Sequence, residues 1–510
     1  LQRRNRRLLA VTGGAVAVAI LTVSLAIMAI LSNAEAQRRR EQAENLIEFM
    51  VGDLRQRLQE IGRLDVFMSV GNKAMEYFSD LHDEDVDNTV LNQRAKVLTQ
   101  IGNTRLDQGE VSAALDSFEQ ARVIARRLAA SDPSSTEWQI TLANSHFWIG
   151  LVHWQNGELK AAGEAFQKVI PIVDRVDQLD PGKPEWLAEK SYAYTNLARV
   201  LEMQGELNRS LGLYREIALI NDKLLDLEPD NPDYLLEVGF AHNNIGKVTQ
   251  SLGRLREAEE HFVKDLEVKQ AVSNSDPANN LWLGYLSTSY MFLGRNYMAR
   301  GENTKALDAI SKAIDISSSL HSFEPGNTTW SNRMAEYILE LAVVNILTGE
   351  LEAARVALNE SADLWEGLLQ SETQKWAWRT GSGLTMVYQS LLALKVGDLQ
   401  QSRTLSSTAK KILADLHRED TSNLESRRNY VLAGLIDGDA HAATDEQQTA
   451  ITIWTESLEL MDTVPVADRD PVSAELTAAL MLRLGQEDQA SVILDRLNAM
   501  GYQSRFISEF

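Results

Sequence analysis

The sequence predicts an all-α solenoid of antiparallel helix pairs, preceded by one transmembrane helix. Two features predict the solenoid: a glycine recurs every 48 residues, with one aspartate in its place, and a small residue follows five positions after each. Self-similarity at a fixed period of this length is typical of stacked-repeat arrays. The membrane helix is predicted by one long uncharged stretch, residues 8–31.

The recurrent motif has four fixed positions. Its first position is occupied by Gly109, Gly157, Gly205, Gly253, Gly301, Gly349, Gly397 and Asp445. Seven residues earlier lies another small residue, at Gly102, Gly150, Ala198, Gly246, Gly294, Ala342, Ser390 and Gly438. A bulky side chain follows nine residues after the glycine in every repeat except the one with Ser406. Because positions outside the glycine share its period, we expect eight repeats over residues 88–469.

These offsets resemble the tetratricopeptide repeat, whose small, glycine, alanine and aromatic positions are reproduced by Gly102, Gly109, Ala114 and Phe118. The usual repeat of that family has about 34 residues. The repeat here is about 14 residues longer, and the extra residues divide into two groups of seven. Seven residues make about two helical turns, so both helices can lengthen without losing register. The resemblance implies a right-handed superhelix whose paired helices each contain roughly 20 residues.

The first segment, residues 1–33, is predicted to be a basic flank and a transmembrane helix. Its uncharged stretch would be about 36 Å long as a helix, whereas a bilayer core is about 30 Å thick. A cleaved secretory signal is the alternative, because Ala34-Glu35-Ala36 resembles a cleavage site. The arginines between residues 3 and 7 favour a single-pass protein of the bacterial inner membrane with a periplasmic array.

Residues 34–87 form a predicted juxtamembrane helical segment. Apolar residues at helical spacing extend from Ile47 to Ile61 and could form either a dimerising seam or a face that packs on the next helix. After the eight repeats, Gly485 and Ala490 begin the motif again. Residues 470–510 are therefore predicted to be a capping helix pair followed by a tail.

Composition and motifs argue against several function classes. The formal net charge of −22 disfavours nucleic acid as a partner, because phosphate binding needs a basic surface. The sequence has no cysteine and no recognisable catalytic or nucleotide-binding motif. His146 and His153 could share a helix face, and Asp437-Gly438-Asp439 resembles part of a calcium loop, but both lack further ligands. We expect neither an enzyme nor a bound metal or cofactor.

The tetratricopeptide resemblance implies that the first helix of each repeat lines a concave, ligand-binding groove. The residues carried over to that face are Tyr192, Thr195, Arg199, Glu202, Asn243, Lys247, Gln250, Arg295, Leu339, Val343, Val387 and Leu391. Cations at Arg199, Lys247 and Arg295 predict a basic centre for an acidic or carboxylate-ended peptide, unless they are ordinary surface charges. The leucines and valines predict an apolar trough for hydrophobic side chains or a second protomer.

The layout also resembles the membrane-anchored C-terminal region of bacterial signalling proteins of the serine/threonine kinase or TIR type. Residues 34–81 carry that resemblance. It implies a non-catalytic, membrane-anchored scaffold or sensor region that binds protein or peptide as part of a larger signalling protein. The alternative is a structural or assembly factor of the cell envelope, which self-associates as a homo-oligomer through its solenoid.

Overall fold

The computed structural model describes residues 64–80, 86–107, 110–461 and 470–506, and six single positions between 22 and 38. These residues form nineteen α-helices. In chain order they are α1 (Leu64–Asp80), α2 (Asn88–Asp107), α3 (Val111–Ser131), α4 (Thr136–Gln155), α5 (Leu159–Leu179), α6 (Pro184–Met203), α7 (Leu207–Leu227), α8 (Pro232–Ser251), α9 (Leu255–Ser275), α10 (Asn280–Ala299), α11 (Asn303–Phe323), α12 (Thr328–Thr348), α13 (Leu351–Ser371), α14 (Trp376–Lys395), α15 (Leu399–Glu419), α16 (Leu424–Ala442), α17 (Gln447–Met461), α18 (Pro471–Arg483) and α19 (Glu487–Ala499).

The helices from α2 to α17 form eight pairs. The first helices begin at residues 88, 136, 184, 232, 280, 328, 376 and 424, and the second helices at 111, 159, 207, 255, 303, 351, 399 and 447. Each start therefore lies 48 residues after the previous one, as in 136 − 88. The all-helical solenoid is observed, whereas the predicted domain boundaries after residues 33, 87 and 469 remain predictions.

The turn within each pair explains the recurrent glycine. Gly205 has a φ of +80°, in the left-handed region that residues with a Cβ rarely adopt. There the amide of Glu206 donates to the carbonyl of Leu201 at 2.8 Å, which satisfies a carbonyl at the helix end. Asp445 keeps the left-handed conformation in the eighth repeat, with a φ of 62°.

The small residue that precedes each turn is half of a close contact between the paired helices. A Cβ placed on Gly246 would lie 2.7 Å from Cε1 of Phe262, and a Cβ on Gly294 would lie 2.7 Å from Cγ1 of Ile310. Phe262 and Ile310 are fully buried. The small and bulky positions of the motif thus fill one another's space across the helix pair.

The predicted transmembrane helix is wrong. No helix in the described ranges is long and apolar enough to cross a membrane. The paired helices have sufficient length, but each of them carries polar side chains for its solvent-facing side, which lowers its mean hydropathy. The predicted single-pass inner-membrane localisation is contradicted for the same reason. The stretch on which it was based, residues 8–31, lies outside the described residues except for a few positions.

The chain divides into two compact units, residues 1–152 and 153–510. Within the first unit, α1 packs on α2 through Ala74 and Phe78 of α1 and Val90, Val97 and Ile101 of α2. The predicted contact of residues 47–61 with this helix lies outside the residues that the structure describes.

Within the second unit, early repeats contact late ones. A Cβ on Gly157 would lie 3.7 Å from Asp420, and one on Gly205 would lie 3.3 Å from Cδ2 of Leu424. Turns of the second and third repeats therefore meet the junction between the seventh and eighth. At the C-terminal helix pair, Pro471 and Val472 of α18 line a cavity together with Gln250 and Arg295 of the fourth and fifth repeats.

Candidate functional site: the concave groove

A cavity of about 790 Å³ lies along α6, α8 and α10, the first helices of the third to fifth repeats, and α12 of the sixth repeat contributes Arg333. Five of the predicted groove residues line it, namely Tyr192, Thr195, Arg199, Asn243 and Lys247. A volume of this size lies within the range of about 300–1,000 Å³ that is typical of ligand pockets.

Aromatic rings form much of the cavity wall. Tyr192 stands on the third repeat with 55% of its surface exposed. Phe240 and Tyr285, from the fourth and fifth repeats, pack edge to face with their ring centroids 4.9 Å apart. Tyr234 and Phe292 complete the aromatic lining. Such rings offer a large contact area to a partner at a small cost in side-chain entropy.

The three predicted cations have partners within the groove. Lys247 Nζ lies 3.1 Å from Glu202 Oε1, and Arg295 Nε donates to Glu340 Oε1 at 2.7 Å. The Arg199 guanidinium lies over the Trp154 ring, 5.9 Å from its centroid. The centre of the groove is therefore less basic than the sequence predicts, because carboxylates neutralise two of its three cations.

A buried ion pair adjoins the cavity, which its lysine lines. Lys269 Nζ lies 2.7 Å from Asp265 Oδ1, and the two side chains are 2% and 0% exposed. Asn243 Nδ2 and Ser289 Oγ donate to Asp265 Oδ2 at 3.2 and 2.6 Å. Burial raises the pKa of Asp265 and lowers the pKa of Lys269, and the attraction between them opposes both shifts. The pair fixes Asn243, which the sequence places in the groove.

The arginine at position 333 lines the same cavity from α12. Its guanidinium lies over the Trp330 ring, 5.2 Å from the centroid. Its Nη1 atom is buried and has no hydrogen-bond partner among the described residues. A buried donor without an acceptor is costly. The Arg333 side chain also lines the cavity, so its guanidinium can offer a charge-assisted hydrogen bond to an anionic group of a ligand.

The predicted apolar trough is not an exposed surface. Its four members, Leu339, Val343, Val387 and Leu391, are all buried in one hydrophobic cluster that also contains Tyr502 and Phe506 from the C-terminal segment. Of the three remaining predicted residues, Glu202 lines neither cavity and pairs with Lys247. Gln250 and Arg295 line a second cavity of about 210 Å³, and Tyr502 and Arg505 line it with them.

Three parts of the chain match sequence models of a known repeat. Residues 191–233 and 243–279 match one Tetratricopeptide repeat model, and residues 143–171 match another. These three segments carry tetratricopeptide repeats. No curated protein matches the sequence.

The chain is similar to several solved structures. The apo form of RapI is 12% identical, with a TM-score of 0.51, and the match covers 82% of this chain and 98% of RapI. The apo form of the quorum sensor NprR from B. thuringiensis is 11% identical, with a TM-score of 0.48 and coverage of 82% and 99%. A kinesin light chain-like repeat protein is 19% identical, with a TM-score of 0.35 and coverage of 45% and 97%. The RapI match supports the fold alone, and the comparisons do not show the resemblance to kinase- or TIR-type proteins.

Sequence reasoning missed one column of cavity residues, because the positions taken from the tetratricopeptide family cover a shorter helix. The missed side chains lie nine residues before the small residue of their repeat, as 198 − 9 gives 189. They are Glu189, Glu237, Tyr285 and Arg333. The two extra turns of each first helix carry this column. Continuing the predicted groove face backwards by two turns would have found it.

The residues considered for metal binding are engaged with other side chains. His153 Nδ1 lies 2.5 Å from Glu158 Oε2. Asp437 accepts from Ser406 Oγ at 2.8 Å, and Asp439 lies 3.0 Å from Arg483 Nη2. In the ranges that the structure describes, no group of three or more potential ligands could hold a metal ion.

Proposed function

We propose that the protein is a non-catalytic scaffold that binds a peptide segment of a partner protein in the groove of its third to fifth repeats. The observation that carries this proposal is the cavity itself, which is large, concave and lined with aromatic side chains. Extended peptides bind in such grooves through a few anchoring side chains.

The charges in the groove give the ligand a direction. Glu189 and Glu237 line the end formed by the third and fourth repeats, whereas Arg333 lines the end formed by the sixth. We propose that an acidic or carboxylate-ended part of the peptide meets Arg333, with its apolar residues on Tyr192 and Tyr285. Arg199 and Lys247 contribute less than their charge suggests, because Lys247 is paired with Glu202.

A display library of random twelve-residue peptides, selected on the full chain, tests this function. We expect the selected peptides to carry an acidic residue near one end. Their affinity should fall by about tenfold or more in Arg333→Gln, as for a lost charge-assisted hydrogen bond. Phe323→Ala is the matched control, because that side chain is 75% exposed and does not line the cavity.

The polarity of the groove has its own test. Glu202→Lys combined with Lys247→Glu preserves the ion pair but reverses its direction, and we expect it to change affinity less than Lys247→Glu alone. Peptides that bind the parent chain and Arg333→Gln equally well would contradict the proposed site, provided both chains have the same melting curve.

A further inference from the structure

The C-terminal segment, residues 500–506, occupies the part of the groove that lies beyond the open cavity. It leaves α19 through Gly501, whose φ is +68°, and continues without helical structure. Tyr502 and Phe506 are 5% and 6% exposed, and they belong to the hydrophobic cluster that contains Leu339 and Val387 of the trough. An extended segment of the chain therefore belongs to the same apolar core as the trough residues.

The segment enters the groove over the turns of the fourth and fifth repeats. The amide of Gln503 donates to the carbonyl of Ala299 at 2.7 Å, at the end of α10. Gln503 also packs on Gly301, and Met500 packs on Gly253, where an added side chain would collide with the methionine. The glycines required by the repeat turns thus provide the space through which the segment passes.

A buried carboxylate holds the segment in place. Glu475, on α18, is fully buried. It accepts hydrogen bonds from Tyr502 Oη at 2.8 Å, from the Phe506 amide at 3.0 Å, and from the Arg505 amide. The Arg505 guanidinium lies 3.7 Å from the same carboxylate. Without this segment, the carboxylate would lose all of these donors in an apolar setting, which is costly.

We infer that this end of the groove is a second binding site, and that its ligand is an extended segment of another protein with an aromatic, a basic and an aromatic residue. The chain's own residues Tyr502, Arg505 and Phe506 supply that chemistry in the present structure. They compete with the external segment. The two rings join the apolar cluster that contains the trough residues. A hydroxyl and two backbone amides donate to Glu475, and a basic side chain lies beside it. This site differs from the open cavity in position and in ligand charge.

Competition by a tethered segment has a measurable consequence. A short tether keeps the segment at an effective concentration in the millimolar range, so an external peptide binds weakly until the tethered one is released. Weakening the cis contacts should therefore raise the affinity for the same sequence in trans, by about tenfold or more.

The probe is a fluorescein-labelled, amidated peptide of residues 500–506, and its binding to full-length chains is followed by fluorescence anisotropy. We expect Tyr502→Ala with Phe506→Ala to bind the probe at least about tenfold more tightly than the parent chain or the Phe323→Ala control. A probe in which both aromatic residues are alanine should bind none of these chains. Adding Glu475→Gln to the double variant should remove the gain.

Equal binding of the probe to the parent and the double variant would overturn the inference, as would no binding to a double variant that melts like the parent. If the double variant does not fold, Gln503→Pro replaces it, because proline removes the amide that donates to Ala299. For this variant too, binding of the probe equal to that of the parent, or no binding despite a parent-like melting curve, would overturn the inference. A concentration-dependent dimer of the parent chain, abolished in the variant, would show that a second copy supplies the segment and would also overturn it.

Discussion

Replacing Lys269 with methionine should destabilise the middle of the array by about 3–5 kcal/mol, the usual cost of removing one partner of a buried ion pair. Methionine preserves most of the side-chain volume, so the loss would come from the charge. Asp265 would remain with 0% exposure and without its cation, held by Asn243 and Ser289 alone. Burial already raises the pKa of Asp265, and the loss of Lys269 should raise it further.

Native-state hydrogen exchange measures this effect locally, which suits a repeat array whose global unfolding need not be two-state. The opening free energy of amides in α9 is compared between the parent and Lys269→Met. Lys312→Met is the matched control, because Lys312 and Asp308 have the same i, i+4 spacing and a 2.7 Å separation but lie on the surface. Such exposed pairs contribute about 1 kcal/mol or less.

A second variant separates the charge from the packing. Asp265→Leu combined with Lys269→Met replaces both charges with apolar groups, and the opening free energy should return to within about 1–2 kcal/mol of the parent. If Lys269→Met lowers the opening free energy no more than Lys312→Met does, the buried pair does not stabilise the middle of the array and the reasoning is refuted.

Three further variants test the repeat geometry and the pH dependence of stability. Asp445→Gly should raise the thermal midpoint, by roughly 1 kcal/mol in free energy, because glycine adopts the φ of 62° without strain; an unchanged midpoint would contradict this. Gly246→Ala should lower stability by about 1–3 kcal/mol through collision with Phe262, and a neutral effect in thermal unfolding would contradict close packing. Burial and the neighbouring His242 lower the pKa of His261 to about 4, so the unfolded chain binds a proton between pH 6.5 and about 4 that the folded chain does not. Stability should therefore fall as the pH drops through that window, and His261→Gln should flatten the fall in urea titrations at successive pH values.

The solenoid could be predicted because its period is a local property of the sequence. Each motif position is required by local structure within one repeat, such as the turn at Gly205 or the close packing of Gly246 against Phe262. The membrane helix was predicted from hydropathy alone. No second feature of the sequence supports that prediction, and no helix in the described ranges is long and apolar enough to cross a membrane.

The pairing of the groove cations follows from a spacing that the sequence analysis did not consider. Glu202 and Lys247 are 45 residues apart, as are Arg295 and Glu340, from 247 − 202 and 340 − 295. This distance is three residues shorter than one repeat, and three residues make almost one helical turn. Neighbouring first helices therefore bring such positions together. A search for opposite charges at this spacing would have predicted a neutralised centre.

The contacts between early and late repeats, and the packing of residues 500–506 on them, could not be predicted in this way. We call these contacts together the closure of the array. They join repeats that are far apart in sequence to a segment that does not share the period. A repeat motif specifies how each pair contacts the next pair, and it contains no information about a tail such as residues 500–506. Closure nevertheless sets the length of the open groove. Four first helices, α6, α8, α10 and α12, line the open cavity, and at roughly 10 Å for each packed helix they present about 30–40 Å of surface. An extended chain advances at most about 3.3–3.6 Å per residue, so the groove accommodates about nine to twelve residues of ligand. A longer peptide would have to displace Tyr502 and Phe506, and for this reason the affinity of a selected peptide after lengthening will also report whether the C-terminal segment has moved.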